Sequence, residues 1–130
     1  MIGLDTNVLL RYFTQDDPVH SRLATELIEN RLTDDTPGYV SLVTLAEVVW
    51  TLKSRAKLSN ADLAQIVRRM LSTKKLVLQN AQDVFEAVLA LEEGYGFADA
   101  LIGALGLSAG CSHTFTFDRK AARLPGFELL

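Results

Sequence analysis

Asp5, Glu47, Asp99 and Asp118 are the residues of this 130-residue chain whose type and setting could do chemistry, because each borders or interrupts an apolar run. Asp5 stops "MIGL" just before "TNVLL", Asp118 ends "TFTF", and Asp99 follows Phe97 and Ala98 ahead of the uncharged "ALIGALGL". Glu47 stands among Val43, Leu45, Ala46, Val48, Val49 and Trp50, where a carboxylate is expensive unless something compensates it. Each has a bland account: Asp5 as a helix N-cap, Asp99 as a cap or dipole partner, Asp118 as part of a turn ahead of "RKAARLP", Glu47 paired with Arg11 or Lys53. Four such acids are hard to explain as four independent caps. Like charges about 4 Å apart repel by about 4 kcal/mol at an effective dielectric near 20, so a pocket that gathered them would need protonation or a cation. All-oxygen ligation without clustered His or Cys suits Mg²⁺ or Mn²⁺ rather than zinc. Such ions polarise phosphoryl oxygens and generate a hydroxide nucleophile, the chemistry of phosphodiester cleavage.

The elements needed to deliver these acids are legible as an alternation of short strands and helices. "MIGL", "YVS", "LVL", "SHTFTFD" and "FELL" read as strands. Helices are expected from "TNVLLRYF", from "VHSRLATELIENRL" with Leu23, Ala24, Leu27, Ile28 and Leu32 as one apolar stripe, and from "LVTLAEVVWTLKSRAK" capped by Ser41. Three more follow: "SNADLAQIVRRMLST" with Ser59 and Asp62 as a weak capping box, "AQDVFEAVLALEEG", and "FADALIGALGLSAG", which stops at Gly110. "TDDTPG" is a loop. This order implies βαβ units and a largely parallel sheet covered on both faces, with ligands at the carboxyl ends of its strands, where Asp5 and Asp118 stand.

Composition bounds the function. Hydrophobic residues at 48% and charged ones at 22% suit one globular domain over residues 1–130, with no repeat or low-complexity tract. A net charge of −3 argues against holding nucleic acid by bulk electrostatics alone, although Arg11, Lys53, Arg119 and Lys120 could hold phosphates at a rim. One cysteine, no leader-like start and no apolar stretch of about 20 residues read as a cytoplasmic protein without membrane insertion. Cys111 reads as a small buried hydrophobe, His20 as decorating a helix start, His113 a strand.

Several chemistries are excluded by order and spacing. "GLSAG" fits a nucleophile elbow, but helix precedes strand there and no His follows Asp118. "GYGFAD" lacks the dinucleotide and Walker spacings. A phospho-receiver-like Mg²⁺-binding domain would carry an acidic pair just after the first strand, whereas the early pair Asp16-Asp17 sits in a loop before Pro18.

"LDTNVLL", "SLVTLAEVVW", "GYGFADALIGA" and "TFTFDRKAARLPG", in this order and spacing, resemble the PIN-domain ribonucleases, most closely the VapC-type toxins of toxin–antitoxin pairs. The resemblance implies a three-layer α/β/α sandwich around a mostly parallel sheet and an endoribonuclease dependent on Mg²⁺, for which Mn²⁺ can substitute. It makes Asp5 and Asp99 the principal metal ligands, with Glu47 and Asp118 completing the acidic pocket and Thr6, Asn7 and Thr116 as polar supporting residues. It further implies a homodimer and a cognate antitoxin whose C-terminal segment lies in a groove, which Trp50 and the "RRML" region could supply. The alternative is a PIN-like module that binds RNA or protein without turnover.

Overall fold

All five expected strands form, and every hydrogen-bonded pair among them is parallel. In the computed structural model, which describes residues 1–130, β1 (Ile2–Gly3), β2 (Gly38–Val40) and β3 (Leu76–Leu78) lie side by side in that order. β4 (Thr114–Thr116) pairs with β5 (Phe127–Leu129) separately, so the expected central sheet is hydrogen-bonded in two parts. Six helices cover these strands: α1 (Thr6–Thr14), α2 (Pro18–Glu26), α3 (Leu42–Ser54), α4 (Asn60–Ser72), α5 (Ala81–Glu92) and α6 (Phe97–Ser108). The result is the three-layer α/β/α arrangement expected of alternating strands and helices. No helix is long and apolar enough to cross a membrane.

Local chemistry explains where the helices start. Ser41 Oγ accepts from the Thr44 amide at 3.2 Å, and Ser59 Oγ from the Asp62 amide at 3.1 Å, each satisfying an otherwise orphaned donor. Gln79, just past β3, adds a long-range cap: its Oε1 accepts from the Leu42 amide at 2.9 Å and so ties the start of α3 to the end of the neighbouring strand. α6 ends at Ala109, and Gly110 takes a φ of +95°, the left-handed conformation that glycine adopts without a Cβ clash.

Burial follows the expected periodicities with two corrections. One core joins Leu4, Leu9, Leu45, Val48, Leu63 and Val88 with their neighbours. The helix expected over "VHSRLATELIENRL" divides into α2 and a wider π turn at Leu27–Arg31, and its buried line runs through Ser21, Ala24, Ile28 and Leu32. Leu23, expected in that line, is 59% exposed because the seven-residue spacing from Ser21 to Ile28 puts it on the flank. Cys111, expected to be buried, is exposed, since it lies beyond the end of α6 where no element covers it.

The corner between α1 and α2 carries a pH dependence. Asp17 caps α2, its Oδ1 accepting from the amides of His20 at 2.9 Å and Val19 at 3.1 Å, and the His20 amide is the main cause of its lowered pKa. Asp16 is lowered as well, first by the Thr14 hydroxyl and then by Arg11. Both carboxylates are more acidic folded than unfolded, so their stabilisation is complete above the ordinary Asp value near 3.9 and is lost as pH falls through the folded value. Urea midpoints measured from pH 6 down to 2.5 are expected to fall below about pH 4, and to fall less in Asp17→Asn, which keeps the cap but not the charge. Parallel acid limbs in the two proteins would remove Asp17 as a source.

Candidate active site

Asp5 follows β1 and occupies the N-cap position of α1 in an extended conformation, φ −83° and ψ 158°, yet its side chain caps nothing. Its backbone carbonyl accepts the first helical bonds from Val8 and Leu9, so the carboxylate is left exposed. Thr6 is buried as the first residue of α1, and Asn7 beside it is exposed.

Asp99 occupies the third position of α6, where a carboxylate is favoured by the helix dipole. It takes part in none of the ion pairs of the molecule and is half-buried. Gly96, the N-cap residue, touches it closely: a Cβ built there would lie 2.9 Å from Asp99 Oδ2, so the carboxylate folds back over the start of its own helix. Sequence reading passed over Gly96, although a glycine three residues ahead of an acid at a helix start was the available signal.

Asp118 serves the turn that was its bland account. Oδ1 accepts from the amides of Lys120 at 2.8 Å and Ala121 at 3.1 Å, while Thr116 Oγ1 accepts from the Asp118 amide at 3.0 Å. Thr116 therefore fixes the backbone on which Asp118 sits, and Oδ2 has no partner in the protein. Asp99, Gly103 and Gly106 share one face of α6, and a Cβ at Gly106 would meet Thr114 Oγ1 at 2.7 Å, which puts β4 against that face. From Gly106 back to Asp99 the helix rises about 10 Å, and Asp118 follows β4 two residues beyond its end.

Glu47 differs from expectation. It shares a face of α3 with Val43 and Trp50, which are 81% and 64% exposed, while Leu45, Val48, Val49 and Leu52 form the buried face. Its apolar neighbours in sequence are thus not its neighbours in space, and no desolvation has to be compensated. Neither candidate partner reaches it: Arg11 pairs with Asp16 at 3.0 Å, and Lys53 Nζ donates to Asn60 Oδ1 at 2.8 Å.

No three His, Cys, Asp or Glu side chains are gathered into a cluster that could hold a metal ion. Asp5, Glu47 and Asp99 enter no ion pair, and carboxylate oxygens of this kind are a donor set for a cation that keeps most of its waters. Mg²⁺ is such a cation, since it binds through one or two carboxylates and substrate phosphates rather than an all-protein cage. Asp5 and Asp99 carry carboxylate oxygens of the kind such an ion takes. An imidazole or thiolate site is not assembled, because His20 leans on Asp17 at 3.3 Å and His113 on Glu128 at 3.4 Å.

Compared with curated proteins, the chain finds no match. Residues 2–126 match the PIN domain, a span that contains all four acids, and the chain therefore belongs to the PIN domain family.

Proposed function

We propose that the protein is an endoribonuclease dependent on Mg²⁺ or Mn²⁺ and the toxin of a toxin–antitoxin pair. PIN domains are in general nucleases. The observation that carries the reading is that Asp5 and Asp99 stand at two helix starts with carboxylates that neither cap nor pair. These two residues would hold the cation, which when bound supplies Lewis-acid stabilisation of phosphoryl charge and a more acidic water. Glu47 and Asp118 complete the acidic end directly or through water. Thr116 keeps the Asp118 turn in place, and Thr6 and Asn7 flank Asp5 at the start of α1. Water attacks phosphorus in line, its new P–O bond replacing the P–O3′ bond, and the departing 3′ oxygen takes up the proton that the water gives up, which leaves 5′-phosphate and 3′-hydroxyl ends.

The partner reading rests on one surface. A groove of about 580 Å³ between α1 and α2 combines Val8, Leu23, Ala24 and Leu27 with Arg11, His20 and Arg31, a lining suited to an apolar segment carrying acidic side chains. It supports an antitoxin segment there, and "RRML" offers a further groove through Arg68, Arg69 and Leu71.

The test is cleavage of labelled single-stranded and structured RNAs by purified protein with Mg²⁺, with Mn²⁺ and with chelator. The expected result is cutting that needs the metal and leaves 5′-phosphates. That no three acids gather into a metal-holding cluster favours one rival, a binding module, and metal-independent RNA binding without any cutting would establish it instead.

A further inference from the structure

A second cleft, of about 330 Å³, opens between α1 and α3 and is lined by Asn7, Arg11, Thr14, Asp16, Thr51 and Arg55 with three apolar residues. Unlike the α1–α2 groove, half of whose lining is apolar, this one is mostly polar, with two guanidinium groups against one carboxylate. Its formal charge is therefore +1 (two arginines less Asp16) in a chain of net −3.

Asp16 shows what the cleft holds. Its Oδ1 lies 3.0 Å from Arg11 Nη1 and 2.8 Å from the Thr14 hydroxyl, so one anionic oxygen is received by a guanidinium and a hydroxyl together. A phosphate oxygen is received by the same pair of donor types. Arg55 takes part in no ion pair and remains available across the cleft. The Arg11–Asp16 pair is open to solvent, with side chains 38% and 56% exposed, and such pairs are weak enough for a competing anion to displace.

Asn7 places this cleft beside the candidate site, because it is two residues from Asp5, at most about 7 Å along the chain. We propose that Arg11 and Arg55 form a phosphate subsite for the RNA strand, and that Asp16 occupies it as an internal stand-in until the strand displaces it. The proposal rests on the nuclease reading only for the position of the cut. An acidic protein segment is the less favoured occupant, since apolar residues are a smaller share of this lining than of the α1–α2 groove.

The test is fluorescence anisotropy of a labelled single-stranded RNA in chelator, so that nothing is cut, over a range of salt concentrations. Arg55→Gln is expected to weaken binding about tenfold and to lower the slope of log affinity against log salt by about 0.7, the signature of one lost phosphate contact. Asp16→Asn is expected to tighten binding, because Arg11 is freed. A merely structural role for either residue would leave the salt slope alone, and thermal melts identify a variant that has lost its fold. An unchanged slope in a folded Arg55→Gln, or weaker binding in a folded Asp16→Asn, overturns the subsite. Loss of binding to a poly-glutamate peptide with RNA affinity intact also overturns it, in favour of an acidic protein. The two readings separate: a wild type that cuts while the variants keep its slope sinks the subsite alone, and one that never cuts while the slope falls sinks the nuclease alone.

Discussion

Asp99→Asn is expected to reduce metal-dependent RNA cleavage by at least about 100-fold while the protein stays folded. The magnitude follows from the position: residues that merely orient metal ligands cost 10- to 100-fold when changed, and a residue that would itself hold the cation costs no less. The stability cost has a separate and small ceiling. At the third position of α6 the charge is worth about 0.3–1 kcal/mol against the helix dipole, and asparagine preserves the shape. The two effects thus separate the readings of Asp99. A residue present only for the dipole would lose those tenths in a melt and keep its activity, whereas a ligand would lose activity with little change in melting. The same comparison at Asp5→Asn is cleaner still, since the Asp5 side chain makes no capping bond that asparagine could replace or lose. A second measurement needs no substrate. If the carboxylates hold the ion, millimolar Mg²⁺ raises the melting temperature of the wild type more than that of either variant. Full cleavage by Asp99→Asn would end its assignment as a ligand whatever the melts show.

What the sequence made legible, and what it hid, divides along physical lines. Strand and helix positions were readable because the alternation of short apolar runs with 3.6-residue periodicity survives in one dimension, and Ser41 and Ser59 cap where serine has a local reason to cap. Asp5 was readable for a related reason: a carboxylate that breaks a strand-like run is visible without knowing the fold. Glu47 was misread because α3 is apolar on most of its circumference, so composition alone could not tell that Val43, Glu47 and Trp50 form the face turned to solvent. Arg11 found Asp16 rather than Glu47 because Gln15 ends α1 in a left-handed conformation, φ 53°, and turns the chain back on itself. Asp16, Asp17 and Pro18 mark a loop there, but no glycine or asparagine stands at Gln15 to show that the chain turns back through a left-handed residue. The placement of Asp118 is another case, since it follows β4, which is seated on α6 through Thr114 against Gly106 and through its partner strand's Phe127 against Gly103.

Those contacts yield the second large expected effect. Gly103→Val is expected to destabilise the protein by about 2–3 kcal/mol, roughly 5–15 °C in melting temperature, and to lower cleavage further than the melt explains. A Cβ at Gly103 would come within 2.6 Å of Phe127 Cε2 and 3.2 Å of the Pro125 carbonyl oxygen, and the latter is backbone that cannot rotate away. The pair β4–β5 shares no strand hydrogen bonds with β1–β2–β3, so its seat on α6 does much to fix where it stands. Pushing it off Gly103 moves Asp118, which follows β4, relative to Asp99, which lies one turn before Gly103 on the same helix. Loss of activity would then track displacement rather than unfolding. Adding Phe127→Ala to Gly103→Val removes the nearer clash but not the one with Pro125, so the double variant is expected to recover part of the stability, with a coupling energy of at least about 0.5 kcal/mol. Strict additivity of the two changes would show that α6 and β5 do not meet at Gly103. A Gly103→Val protein that melts like the wild type and cuts like it would show that the position of β4–β5 has no bearing on the site.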